Sequence, residues 1–163
     1  MSLKDRLKRQ MIAARETSER FLADFKTPAD WTLQIYPGAN HALWFAGHMG
    51  TTDDFFISLI SPERVSPQPG FNEKFALGSE PNPNPEENPP VESVLAYMRE
   101  RRKVLMDILI NCQEADLARP TQQGAPSFLP DVGSVFETAI WHEGLHSGQL
   151  SVVRRALGHP PLH

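Results

Sequence analysis

More than half of the 15 prolines in this 163-residue chain fall between Pro62 and Pro90. Proline has no N–H and a fixed φ, so the stretch SPERVSPQPGFNEKFALGSEPNPNPEENPP cannot run as one helix or sit inside a sheet. It predicts a long irregular connection able to pack over one end of a compact body. On both sides of it the apolar spacing is helical. From Ser2 to Phe25, the residues Leu3, Leu7, Met11, Ala14, Phe21, Leu22 and Phe25 recur at three- and four-residue steps. Ser2 and Asp5 resemble a capping box, and TPAD at 27–30 breaks the pattern.

Three further segments follow. One starts near Asn40, a good N-cap after Pro37-Gly38, and runs to Ile60. Gly47 and Gly50 inside it lower helix propensity, which points to close approach by a neighbouring helix or a ligand. The next begins after Asn88-Pro89-Pro90, a cap followed by proline. Val91, Val94, Leu95, Met98, Leu105, Ile108, Leu109 and Cys112 form its stripe, while Arg99, Glu100, Arg102 and Lys103 read as a solvated face. The last starts between Asp131 and Ser134, with Ser134 and Glu137 at capping-box spacing, and ends at Gly158 before Pro160 and Pro161. No segment alternates like a strand and none repeats. The expected fold is all-α: one domain over 1–163, a four-helix up-and-down bundle with a long Pro-rich crossover connection.

Composition excludes some functions. Net charge is −4 with no Lys/Arg block, which argues against nucleic acid as a partner. No run approaches membrane-span length, so no membrane partner is expected. The single cysteine, Cys112, permits no internal disulfide and reads as a small buried hydrophobe. MSLKDRLKRQ is charged from residue 4, unlike a secretory signal, and a cytoplasmic location is expected.

The chemistry concentrates in WHEGLHSGQ, residues 141–149. His142 and His146 lie one turn apart on one helix face, so two imidazoles can grip one ion. HEGLH also matches the zinc-protease motif, with Glu143 as the base that activates water. That reading lacks its third ligand. Position 152, where the extended pattern wants His, is Val; position 149, where it wants Gly, is Gln; no Glu follows Glu143. A third ligand must come from upstream, and His48, mid-helix beside Gly47, is the best candidate. His41 is seven residues earlier, roughly 10 Å along the axis, and suits the helix entrance or a pocket wall. His159 and His163 read as surface residues of the tail.

The segments NHALWFAGHMGTTDDFF and FETAIWHEGLHSGQLSVVRRALGHPP together resemble the DinB-like (DinB/YfiT-like) superfamily. The first matches a segment ending in Gly-His. The second matches His-x-x-x-His, then Gly-Gln, an Arg and a Leu-Gly-x-Pro end. The match spans nearly the whole chain in helix order. The resemblance implies a four-helix bundle with an unusual crossover and one divalent metal, commonly zinc or nickel, held by His48, His142 and His146. It also implies a homodimer formed through helix faces. Some relatives are thiol-dependent transferases and many others have no established activity, while the superfamily as a whole is described as metal-dependent hydrolases. The length of the 62–90 stretch departs from a minimal member.

A divalent ion on three neutral imidazoles keeps its charge and an open position, and acidifies a water or a thiol. Two functions follow. One is a metal-dependent transferase (using a low-molecular-weight thiol) or hydrolase on a small-molecule substrate. The other is a non-catalytic metal- or ligand-binding bundle, stress-related or dimerising, in which a fourth ligand closes the site. Glu143 is the nearest candidate base, but it points about 100° from His142 and can instead orient a ligand or meet a neighbouring helix. Asp53 and Asp54 are alternative bases whose plainer role is solvated or helix-pairing. Gln149 can hydrogen-bond a ligand or pair at a helix interface. Gly148 reads as a close-packing glycine, Trp44 and Trp141 as core, and Arg154 and Arg155 as surface residues.

Overall fold

Four long helices form the body of the computed structural model, which describes residues 1–162. They are α1 (Leu3–Leu22), α3 (Ala42–Ile60), α5 (Val91–Asn111) and α6 (Val132–Ala156). Two short ones, α2 (Pro28–Trp31) and α4 (Phe71–Phe75), sit in the connections. No helix among the described residues is long and apolar enough to cross a membrane, and His163 lies outside the described residues.

The helix ends follow local chemistry, with some shifts from expectation. Ser2 and Asp5 form the capping box of α1. The cap of α3 is His41, whose Nδ1 accepts from the Trp44 N–H at 3.0 Å, in place of Asn40. An imidazole nitrogen serves the orphan amide as a side-chain oxygen would. Pro90, not Asn88, precedes α5. The box on α6 is Asp131 with Ser134, three residues upstream of the expected Ser134 with Glu137. Gly158, at φ 89°, follows the end of that helix.

Helix directions explain the crossover. A Cβ on Gly50 would strike Tyr97, Asp54 pairs with Arg101, and Asp53 pairs with Arg102. From the Gly50–Tyr97 contact to the two ion pairs both numbers rise, so α3 and α5 are parallel. Likewise Arg15 meets Glu143, Ser18 meets Ser147 and Asp24 meets Arg154, so α1 and α6 are parallel. Arg15 reaches the Met98 carbonyl while Lys4 reaches that of Ile110, so α1 and α5 are antiparallel. The sense is up, down, down, up. Parallel neighbours cannot be joined by a short turn, and residues 61–90 carry the chain back along the bundle.

Two apolar clusters fill the interior. One gathers Leu22, Phe25, Trp31, Leu43, Trp44, Met49, Phe75, Tyr97, Leu150 and Val153. The other gathers Leu7, Met11, Phe56, Ile57, Leu105, Leu109, Leu129 and Phe136. Between them in register lies a layer of buried charge drawn from all four long helices. Glu143 is 0 % exposed and meets Arg15 Nε at 2.6 Å and an Arg102 terminal nitrogen at 2.7 Å. This second contact is an ion pair without hydrogen-bond alignment, and among the described residues neither atom has a hydrogen-bond partner. Arg102 also holds Asp53 bidentately, at 2.8 and 3.0 Å. Two cations face two anions, so the layer is neutral. Arg102, read as part of a solvated face, is therefore core, and Asp53 is helix-pairing rather than solvated. Asp54 accepts from Arg101 and from the Ser66 N–H. Arg154, read as surface, is buried against Asp24, whereas Trp141, read as core, is 63 % exposed.

Removing one charge from the layer strands its partners. Glu143→Ala is expected to cost about 3–5 kcal/mol of stability. Glu19→Ala, which breaks an exposed pair with Arg99, costs about 0–1 kcal/mol. Urea denaturation of the metal-free proteins measures both.

Candidate metal centre

Packing between antiparallel α3 and α6 brings His48, His142 and His146 together. One ring nitrogen of each lies within 4.8 Å of the others. His48 Nε2 and His142 Nε2 are 3.0 Å apart, near the roughly 3.3 Å expected of two nitrogens on a tetrahedral ion with bonds of about 2.0–2.1 Å. Among the described residues this group contains histidines alone, with no carboxylate.

Two of the imidazoles are oriented by their other nitrogen. His48 Nδ1 is 2.7 Å from the Phe75 carbonyl, which can only accept, so Nδ1 carries the proton and Nε2 keeps its lone pair. His146 Nδ1 is 2.8 Å from Gln149 Oε1 and donates to it in the same way. That oxygen also accepts from Asn40 Nδ2 at 3.1 Å, which fixes the amide. Gln149 thus hydrogen-bonds a candidate ligand and also pairs across the α3–α6 interface with Asn40, which is displaced as a cap. Metal-bound histidines commonly use their second nitrogen this way. The donor set fits a divalent transition ion.

Electrostatics keep the rings neutral. Burial lowers His48 to about 4, against an ordinary 6.5, with a smaller push from His146. His142 is lowered to about 3, mainly by burial, then by His146, His48 and Arg102. Burial also lowers His146. Neutral imidazole is the form that binds metal. Trp44 stacks on His48 with ring centroids 4.3 Å apart and covers one face. His142 and His146 are half-buried, so the site opens toward solvent on the α6 side.

Other candidates lie elsewhere. His41 stands at the helix entrance, its Nε2 donating to the Asn82 carbonyl at 2.9 Å. Glu143 meets neighbouring helices, with Arg15 of α1 and Arg102 of α5. Burial raises its carboxyl, but Arg102 and Arg15 more than offset this, so it stays below the usual range. Gly47 and Gly50 are both tight, against Phe75 and Tyr97 respectively. Gly148 is not a packing glycine: a Cβ there would meet nothing within 4 Å. Sequence reading missed the Phe75 carbonyl and Arg15. A backbone acceptor leaves no trace in residue type, and Arg15 looks like any polar residue of α1.

Among curated proteins none matches this chain. A conserved protein from Enterococcus faecalis, known as a crystal structure, has the same fold. Its TM-score is 0.72 at 19 % identity, over 95 % of this chain and 96 % of that one. The family model of the DinB superfamily matches residues 10–150. With that match over most of its length, the chain belongs to the DinB superfamily.

Proposed function

We propose that this protein holds one divalent transition metal, zinc or nickel, between His48, His142 and His146. In this reading it is a metal-dependent enzyme on a small molecule, a thiol-dependent transferase or a hydrolase. The observation that carries it is the donor set: three neutral imidazoles, two already oriented through Nδ1, and no carboxylate among them. A bound ion of this kind supplies a Lewis acid with an open position that acidifies a water or a thiol. The chain's residues do the rest. His48 and His146 present their lone pairs, Trp44 keeps water from one face of His48, and the half-buried edge of α6 admits substrate.

The alternative, a metal that only staples α3 to α6, needs a fourth protein ligand. Glu143, Asp53 and Asp54 are each engaged by arginine and are not free to serve. The same engagement argues against Glu143 as the general base. A cytoplasmic location fits the single thiol. A homodimer fits the exposed Trp141, Leu145 and Val152 on α6, which offer a second copy an apolar face.

Purified without an affinity tag or chelator, the protein is expected to carry close to one equivalent of zinc or nickel by elemental analysis, and His142→Ala to carry little. Metal-free protein that takes up neither ion overturns the reading. Activity is tested by screening low-molecular-weight thiols with small electrophiles, and simple esters and amides without thiol. Metal-dependent turnover in either set, lost in His142→Ala, is expected; none in both sets favours the non-catalytic bundle.

A pH dependence follows from the lowered histidines. Between 6.5 and about 4 the unfolded chain holds protons that folded His48 refuses, so the slope of stability with pH is positive there. The metal-free protein is therefore most stable above 6.5 on this account and loses stability as pH falls toward about 4. Denaturant midpoints across that window measure it, and His48→Gln should flatten the slope.

A further inference from the structure

The Pro-rich connection does more than return the chain. One face of α3 donates to it at three levels. His41 Nε2 reaches the Asn82 carbonyl at 2.9 Å, Trp44 Nε1 reaches Ser79 Oγ at 2.9 Å, and His48 Nδ1 reaches the Phe75 carbonyl at 2.7 Å. These donors are spaced i, i+3, i+7, so they lie in a row. The last is a metal-ligand candidate. Its acceptor is held by a shape match one residue away. The Phe75 ring sits against Gly47 so closely that a Cβ there would lie 2.2 Å from Phe75 Cγ. The ring cannot easily move aside, since it packs edge-on against Phe71, which packs edge-on against Tyr97 of α5. Phe75 is 1 % exposed.

We propose that Gly47 and Phe75 are positioning residues of the metal centre: the ring seated in the Gly47 notch places the Phe75 carbonyl, and that carbonyl holds His48 with Nδ1 protonated and Nε2 turned to His142 and His146. The connection is thus a working wall of the site. Gly47→Ala lifts the ring, and the carbonyl leaves with it. His48 then loses the acceptor that selects its tautomer, and its ring is no longer set for a shared ion. Orienting partners of this kind are typically worth about 10–100-fold in metal affinity. The affinity part rests on the proposed metal site; the tautomer part does not.

The test uses the full chain as wild type, Gly47→Ala, Phe75→Leu and, as a packing control distant from this strap formed by the Pro-rich connection, Leu105→Ala in the other apolar cluster. Phe75→Leu keeps an apolar filler and serves if Gly47→Ala does not fold. Nitrogen-15 histidine correlation spectra of the metal-free proteins report the His48 tautomer, and chelator competition reports zinc affinity. The expected result is the Nδ1–H tautomer in wild type and in Leu105→Ala, and a mixed tautomer with about 10–100-fold weaker zinc binding in Gly47→Ala and Phe75→Leu. Wild-type tautomer in both strap variants overturns the proposal, as does an equal loss in Leu105→Ala. If wild type takes up neither zinc nor nickel, the metal reading fails while the tautomer comparison still decides the role of the strap.

Discussion

The buried layer of Arg15, Asp53, Arg102 and Glu143 is the interaction on which the rest of the bundle depends. Each long helix contributes one charge, and no member is satisfied without the others. Burying an ion is expensive unless it is paired. Any slip of one helix by a turn would strand a charge in the interior. Apolar residues on either side tolerate sliding better, because dispersion contacts are not directional. The layer therefore sets the axial register of four helices at once, a role known for buried polar groups in coiled coils.

That register matters because the histidines stand at the same level. Glu143 and His142 are neighbours on α6 but face different ways: Glu143 toward α1 and α5, His142 toward α3. The helical angle of about 100° per residue separates structural charge from candidate chemistry within one turn. The arginines have a second effect. Arg102 adds to the lowering of His142 and so helps keep it neutral. Fixed positive charge beside a site for a cation would oppose metal binding if unbalanced. Here Asp53 and Glu143 balance it, leaving the donor set neutral and oriented.

The parallel pairing of α3 with α5 creates a further demand. The chain must travel back between them, and the connecting segment lies against α3 on the way. In this protein that segment carries backbone acceptors to His41 and His48 and a hydroxyl to Trp44. Its prolines suit the task, since they keep the backbone extended and limit the entropy lost when it is fixed in place.

How far residues alone reach can be judged from particular cases. The four long helices and the Ser2 cap were legible, because periodicity and capping are local. His48, His142 and His146, which the structure brings together, could be named as candidates, the last two from spacing and the first from elimination and family resemblance. Arg102 was misjudged: helical phase tells which residues share a face, but not which charge finds its counterion on another helix. Asn40 was misassigned for a similar reason, since a cap and a partner for Gln149 look the same in sequence. Gly148 and Trp141 were misread because one helix pattern cannot say how closely a neighbour approaches. Local chemistry thus determined the elements and the candidate histidines. Only the tertiary structure decided helix direction, the neutral charge layer and the carbonyl behind His48, because each depends on groups far apart in the chain meeting in a low-dielectric interior.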